Sequence, residues 1–248
     1  MKKIFALLLA ALMLFSLAAC AGTEPVTTEA PSTAAPETTK APETEAPATE
    51  APTEAETEAP TEEAALTDEE QAIYDLLFGA VDGEYYSNPM LGLRFRIPEG
   101  WTVFGQAENL ENNGFVADGT LIDQIAAAPM VMLMLCSNES SGSSVNITVE
   151  NIPEGMTEEE YITTQLESTK TAMAQLGFEN VETSAETVTL AGAEHFCMQV
   201  KGEVGGMPFY ETLVAFAMPD NSMALLTASS FDAEEIDMLI ESFETIPA

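Results

Sequence analysis

Basic residues are scarce in this sequence. It holds 7 lysines and arginines against 42 acidic residues, which gives a formal net charge of −35, and it has 1 histidine. Nucleic acids and anionic lipid head groups are bound chiefly through Lys and Arg, which neutralise phosphate. The composition therefore argues against nucleic acid as a partner, and we expect the charge to serve solubility and repulsion from other acidic surfaces.

Catalytic motifs are also missing. The sequence has no Gly-x-Ser-x-Gly elbow, no His-Glu-x-x-His helix and no glycine-rich phosphate loop. A serine or cysteine hydrolase would have to use His195 as its base. His195 stands two residues before Cys197 in a predicted strand, so the two side chains share a face and a reactive pair is conceivable. A structural histidine beside a small apolar cysteine is the favoured interpretation, and we predict that the protein is not an enzyme.

Long hydrophobic runs are absent except near the N-terminus, where Ile4–Leu17 is apolar apart from one serine and follows two lysines. This pattern is typical of a signal peptide and is too short for a permanent membrane helix. The run ends in Leu-Ala-Ala-Cys, which resembles the lipobox of bacterial lipoproteins. The resemblance implies a signal peptide over residues 1–19 and lipid, palmitate included, on Cys20. The alternative is an ordinary secretory signal peptide with an incidental cysteine.

Residues 20–65 have a different composition. They hold 7 of the 14 prolines, 11 glutamates and no aromatic residue, and Thr-Glu-Ala-Pro occurs four times. Such a segment cannot bury enough apolar surface to offset its ordering entropy, so we predict a disordered tether. As an extended polyproline chain it would reach about 140 Å, which makes it a spacer between membrane and domain.

Residues 66–248 carry 31 acidic and 4 basic residues and are enough for one domain with a full core. Three segments begin with a polar residue followed by acidic ones, at Thr67, Thr157 and Asp232, and continue with apolar residues at helical spacing. Each start predicts a helix with a capping box, in which the first side chain accepts a hydrogen bond from the backbone amide three residues on.

Between these helices the sequence alternates with a period of two, as half-buried strands do. Residues 91–97 and 145–150 alternate in this way, whereas Met130–Cys136 is apolar throughout and predicts a strand buried on both faces. Turn residues at Ala191-Gly192 and at 219–222 predict two hairpins. The order of helix, strands, helix, two hairpins and helix predicts an α+β fold, a mainly antiparallel sheet flanked by helices.

A family resemblance rests on residues 86–101. Tyr-Ser-Asn-Pro at 86–89 leads to Gly-Leu-Arg-Phe-Arg-Ile-Pro-Glu-Gly-Trp at 92–101, which resembles the opening of PsbP-like domains. The strand at 145–151, the hairpins and the last helix follow in the family's order. The resemblance spans residues 85–245 and implies an αβα sandwich. It implies no activity, because this fold carries unrelated roles. Small lipoproteins with acidic tethers of this kind look common in Gram-positive bacteria.

The domain's two arginines, Arg94 and Arg96, fall on one face of one predicted strand. With so many acids nearby, cross-strand ion pairing is the favoured use. The alternative is contact with an anion or carboxylate of a partner. Together with His195, these arginines are the candidate ligand-binding or partner-binding residues.

Sulfur residues raise two further hypotheses. Cys136 and Cys197 are the two cysteines of the domain, and either a disulfide or two buried free thiols is open, the thiols being favoured. Alternation places Met130, Met132 and Met134 on one face with Cys136, and soft sulfur ligands would suit Cu(I). Methionine is an ordinary core filler, however, and no calcium-loop ligand series is present. We predict no metal and no cofactor.

These features predict a lipoprotein anchored on the extracytoplasmic face of the cell membrane, presenting a non-catalytic binding or assembly domain. The expected partners are the membrane, through lipid on Cys20, and envelope proteins or cell-wall components. One alternative is an enzyme with an unrecognised site, marked by a pocket that gathers His195, a nucleophile and a carboxylate. The other is the solute receptor of an importer, marked by two lobes around a cleft.

Overall fold

Two antiparallel sheets and five helices make up residues 66–247, the part of the chain that the computed structural model describes. This confirms the predicted α+β class with antiparallel strands and flanking helices. The signal peptide, the tether and the lipidation of Cys20 all fall outside the described residues. Between residues 66 and 247 no helix is long and apolar enough to cross a membrane.

Four strands form the smaller sheet, in the order β1-β2-β3-β11. Phe95 of this sheet is fully buried and packs on Phe243, with 4.7 Å between ring centroids. The corner on which the PsbP-like resemblance rests is a turn, in which the Trp101 amide donates to the Pro98 carbonyl at 3.2 Å and Gly100 has φ +82°. The strands are β1 (Ala80–Asp82), β2 (Tyr85–Asn88), β3 (Leu93–Arg96) and β11 (Phe243–Thr245).

Seven strands form the larger sheet, in the order β4-β5-β6-β10-β9-β8-β7. Both predicted hairpins are present, one joining β7 to β8 and one joining β9 to β10. The strands are β4 (Thr102–Val103), β5 (Met130–Asn138), β6 (Ser143–Asn151), β7 (Glu179–Leu190), β8 (Ala193–Val204), β9 (Met207–Ala217) and β10 (Ser222–Ser230).

The three predicted helices are confirmed as α1, α4 and α5. At the start of α1 the Thr67 hydroxyl accepts from the Glu70 amide at 3.2 Å, and the Glu70 carboxylate accepts from the Thr67 amide at 3.0 Å. The same reciprocal pair joins Thr157 and Glu160 at α4. The helices are α1 (Asp68–Phe78), α2 (Gln106–Asn113), α3 (Leu121–Ala127), α4 (Glu158–Gln175) and α5 (Ala233–Glu241).

The capping box predicted for α5 is wrong. Asp232 accepts from the amide of Glu234, two residues on, at 3.0 Å. Glu235, which should have completed the box, instead accepts hydrogen bonds from the hydroxyls of Ser143 (2.5 Å) and Ser230 (2.6 Å). The glutamate therefore ties the helix start to the large sheet rather than to its own cap.

The large sheet separates two hydrophobic cores. Its inner face packs against the small sheet, α1, α2, α3 and α5, and carries fully buried side chains such as Ile147 and Leu226. Its other face, which we call the α4 face, packs against Ile162 and Met173 of α4. The helix lies over β7, β8 and β9.

A bulge in β5 overturns the predicted methionine face. Met132 pairs with Thr148 but Met134 pairs with Ile147, so the register slips by one residue at Leu133. Because side chains alternate between faces, the slip places Met132 on the α4 face, whereas Met134 belongs to the inner core with Cys136. The sulfur groups are thus divided between two faces.

Candidate functional site

A cavity of about 250 Å³ lies at one end of the large sheet, beside α3. We call it the α3 cavity. It is larger than the apolar cavities of about 150 Å³ that bind benzene, so it has room for a small organic molecule. Most of its wall is apolar and comes from α1, α3, β5 and the loops beside them, including Leu77, Met90, Ile125, Val131, Leu133 and Met218.

The α3 cavity lies at the C-terminal end of α3, where the helix is short and its last side chains are small. The helix ends before Ala128, which is followed by Pro129, and Ala128 lines the cavity without filling it. Glu70 of α1 holds the other end of α3, because its carboxylate accepts from the Leu121 amide at 2.9 Å. Backbone hydrogen bonds from Thr67 and Leu121 hold the pKa of Glu70 below its ordinary value, so the Glu70 carboxylate stays charged.

Polar groups lie where the turn between β9 and β10 meets the cavity. Asp220 is exposed in this turn and lines the cavity, as do Asn151 and the buried Ser222. The Ser222 hydroxyl donates to the Asp220 carboxylate. No Lys, Arg or His stands among the described residues that line the cavity, so its mouth is an acidic one.

A second, smaller space of about 30 Å³ lies between α4 and the large sheet. We call it the α4 recess. Its volume is enough for about two water molecules. Hydrogen-bonding side chains from β6, β10 and α4 line much of it, namely Asn146, Thr148, Glu150, Tyr161, Gln165, Thr169 and Thr227.

Two buried polar residues of the α4 recess, Asn146 and Glu150, are not fully compensated by hydrogen bonds. Asn146 is 2% exposed, and its side-chain nitrogen has no hydrogen-bond partner within residues 66–247. Burial raises the pKa of Glu150, partly offset by the hydroxyl of the neighbouring Tyr161. Burial, together with the Glu150 charge, raises the pKa of Tyr161 in turn. The lining of the recess thus contains both a donor without a partner among the described residues and a carboxyl group that resists ionisation.

Glu211 is a second buried acid on the α4 face. It is 3% exposed, and one carboxylate oxygen accepts from the Ser229 hydroxyl at 2.8 Å. Its other oxygen has no partner in the described part of the chain. Burial raises the pKa of Glu211 to about 7, and the Ser229 hydrogen bond offsets only part of that effect.

His195 is paired with a glutamate and lines neither the α3 cavity nor the α4 recess. Its Nδ1 lies 3.2 Å from Oε1 of Glu158, the first residue of α4. The Glu158 carboxylate also accepts from the amides of Phe196 (3.3 Å) and Ala217 (3.2 Å). Glu158 therefore joins the start of α4 to β8 and β9. The contact between His195 and Glu158 is thus part of a structural connection.

The geometry around Cys197 offers no reactive thiolate. Burial raises the pKa of the Cys197 thiol, so the group stays protonated at neutral pH. Its hydrogen-bond neighbour is Gln199, whose amide nitrogen lies 3.7 Å from the sulfur. This contact does not activate Cys197 toward the nucleophilic role that a pair with His195 would require.

Cys136 and Cys197 are both buried and free, which confirms the favoured state. They lie on β5 and β8, with β6, β10 and β9 between them. Four strand spacings amount to about 19 Å, whereas a disulfide needs Cα atoms within about 7 Å. Burial raises the pKa of Cys136 to about 12.

Both arginines make ion pairs, Arg94 with the neighbouring strand and Arg96 with Glu84 in the turn before β2. The Arg94 guanidinium donates to the Glu244 carboxylate and lies 4.6 Å above the ring centre of Tyr85. Arg96 lies 3.3 Å from the Glu84 carboxylate and is well exposed. Arg94 and Arg96 thus sit on the small sheet, and the structure does not bring them together with His195. Their role in partner binding stays a prediction.

Metal ligation has no cluster to support it in the described chain, since no three His, Cys, Asp or Glu side chains between residues 66 and 247 could hold an ion together. The residues that do gather in a cavity, such as Asp220 and Ser222, carried no distinctive sequence signal. Ala128 and Met218 are equally ordinary in sequence. Only the tertiary packing of α3 against the sheet end brings them together.

No family model matches the sequence, and no curated protein is similar to it. Among solved structures, a protein from Bacteroides thetaiotaomicron is similar with 12% identity and a TM-score of 0.36, over 67% of this chain and 50% of that protein. The present chain therefore spans half the length of that relative. LpqN, described as involved in cell envelope biogenesis of Mycobacterium tuberculosis, is similar with 9% identity and a TM-score of 0.35, over 62% of this chain and 83% of LpqN.

Proposed function

We propose that the protein is a lipid-anchored, extracytoplasmic binding protein whose domain takes up a small ligand in the α3 cavity. Sequence supports the anchor: the signal-peptide pattern ends in a lipobox at Cys20, and an acidic Thr/Pro-rich segment follows it. Such an arrangement holds a binding domain at a distance from the membrane. Envelope proteins or cell-wall components are the expected macromolecular partners.

The observation that carries this proposal is the α3 cavity itself. Ligand sites are concave and mostly apolar, with a few polar groups that fix orientation. The cavity has that composition, with an apolar wall and polar groups at Glu150, Asn151, Asp220 and Ser222. Its polar groups lie at one side, so a bound molecule would have a defined orientation.

Binding suits the cavity better than catalysis. The hydroxyl that lines it, on Ser222, donates to Asp220, and no imidazole or amine base stands in the described lining. His195 is engaged with Glu158 elsewhere. An importer receptor with two lobes is also less favoured, because residues 66–247 fall within a single unit.

The anchor is tested by growing cells with labelled palmitate and fractionating their membranes. Wild-type protein should carry the label and sediment with membranes. The Cys20→Ala variant should carry none and appear in the soluble fraction. Equal labelling of both proteins would contradict the lipid anchor.

Ligand uptake is tested with 2-phenylethanol, a neutral probe that matches the size of the cavity. Titration calorimetry on the full mature chain should detect binding, and Ala128→Phe, which fills the cavity, should abolish it. Ala127→Phe is the matched control, because Ala127 is exposed and does not line the cavity. Unchanged binding by Ala128→Phe would show that the probe binds elsewhere.

A further inference from the structure

We infer that the ligand of the α3 cavity is an amphiphile with a small apolar body and a positively charged, hydrogen-bond-donating head held at Asp220. This inference rests on the proposed binding function and adds the chemical class of the ligand. It depends on three features of the cavity, namely its apolar wall, its volume, and the sign of the charge at its mouth.

The apolar wall selects the body of the ligand. Side chains of Leu77, Ile125 and Met218 are partly buried and pack around the cavity, so they still expose apolar surface inside it. Covering that surface with a ligand releases about 25 cal/mol per Å². A volume of about 250 Å³ accommodates a single aromatic ring or a short alkyl chain and excludes a folded peptide or a sugar chain.

The charge at the mouth selects the head group. Asp220 is exposed at the cavity rim, and its carboxylate accepts from the buried Ser222 hydroxyl, which holds it in place. Asn151 and the buried Glu150 lie in the same lining and supply further hydrogen-bonding groups. A primary ammonium ion, with three donors and no acceptor, matches this set of acceptors.

The charges on the remainder of the domain also favour a cationic ligand. Its two arginines are already paired with Glu244 and Glu84 on the small sheet, and its two lysines stand outside the described cavity lining. The domain sequence has 31 acidic residues against 4 basic ones. An anionic head would therefore meet repulsion both at Asp220 and from the whole surface, whereas a cation is drawn toward the mouth.

The test compares three probes of similar size on the full mature chain, namely 2-phenylethylammonium, 2-phenylethanol and 3-phenylpropanoate. Titration calorimetry should give the tightest binding for the ammonium ion, with the carboxylate weaker by about tenfold. Asp220→Asn keeps an acceptor for Ser222 and should weaken ammonium binding by about fivefold, with the alcohol unchanged. Asp237→Asn, which removes the same charge from exposed α5, is the matched control and should leave all three affinities unchanged.

Thermal unfolding of each variant checks that the fold is retained. Equal affinities of the wild-type chain for the ammonium ion and the carboxylate, or an Asp220→Asn variant that binds the ammonium ion as tightly as the wild type does, would overturn the inferred ligand class. Loss of alcohol binding in Ala128→Phe would then still support the proposed binding function. If none of the three probes binds the wild-type chain, the α3 cavity is not a ligand site and both proposals fail.

Discussion

The two faces of the large sheet differ in what covers them and in what they bury. The inner face is covered by four helices and the small sheet. Most of its buried side chains, such as Ile147 and Leu226, are apolar, and a buried hydroxyl such as that of Thr212 has a partner, the Gln199 side-chain oxygen at 2.8 Å. The α4 face has one helix over β7, β8 and β9, and it buries polar groups on β6 and β9, among them Asn146 and Glu211. The inner face thus forms a conventional hydrophobic core, whereas the α4 face buries polar groups that lack a hydrogen-bond partner within residues 66–247.

The difference shows that residues of the α4 face can be buried without being hydrophobic. Alternation along β6 predicts that Asn146, Thr148 and Glu150 share one side of the strand, and the structure agrees. The same alternation normally indicates a solvent-facing side, yet each of these residues is buried. Each prediction below tests whether this contrast between the two faces is energetic as well as geometric.

The largest expected effect is on the inner face. Ile147→Ala should lower the free energy of unfolding by about 3–4 kcal/mol, because Ile147 is fully buried in close packing and the change leaves a cavity. Its neighbour Thr148 points to the α4 face, so Thr148→Ala should lower it by about 1 kcal/mol or less. Urea denaturation measures both values, and equal losses would erase the contrast between the faces.

The pH dependence of stability should depend on Glu211. Its pKa rises from an ordinary 4.5 to about 7 on folding, so between these values the folded chain binds more protons than the unfolded chain. The contribution of Glu211 to stability is then greatest below pH 4.5, falls as pH rises, and levels off above about pH 7. The shift corresponds to a loss on the order of 3 kcal/mol.

Glu211→Gln should remove this loss, because the amide stays neutral at every pH. Relative to wild type, the variant should gain stability on the order of 3 kcal/mol at pH 8 and little at pH 4.5. Exposed Glu203, replaced by Gln, controls for the removal of one negative charge. Glu150, whose pKa is also raised, remains in all three proteins and cancels in the comparison. Parallel pH profiles for wild type and Glu211→Gln would show that Glu211 is charged at no energetic penalty.

Local signals in the sequence were enough to predict much of the fold. Thr67 and Thr157 each begin a helix because a capping box needs only four consecutive residues, and both hairpins followed from their turn residues. Helices α2 and α3 were not predicted, because 8 and 7 residues are too short to show an apolar period.

Features that depend on distant residues could not be predicted. The bulge at Leu133 leaves no mark in a run of apolar residues, so Met132 was wrongly placed on the face that Met134 shares with Cys136. The α3 cavity depends on how Ala128 and Asp220, from distant segments, meet at the end of the sheet. The free energy of such sites comes from tertiary packing, which neither composition nor periodicity records.

The smallest effect, and the one with the opposite sign, is expected at Asn146. Its side-chain nitrogen is buried without a partner within residues 66–247, so Asn146→Leu exchanges an unsatisfied donor for apolar contact of similar volume. We expect a gain of about 1 kcal/mol in the free energy of unfolding, read from urea denaturation. Asn146→Asp has the same shape but places a second carboxyl group in the recess with Glu150, and it should destabilise the domain. A loss of stability in Asn146→Leu would mean that the Asn146 amide donates a hydrogen bond to ordered water in the α4 recess. The polar groups of the α4 face would then all have partners, and the two faces would differ only in whether water is present.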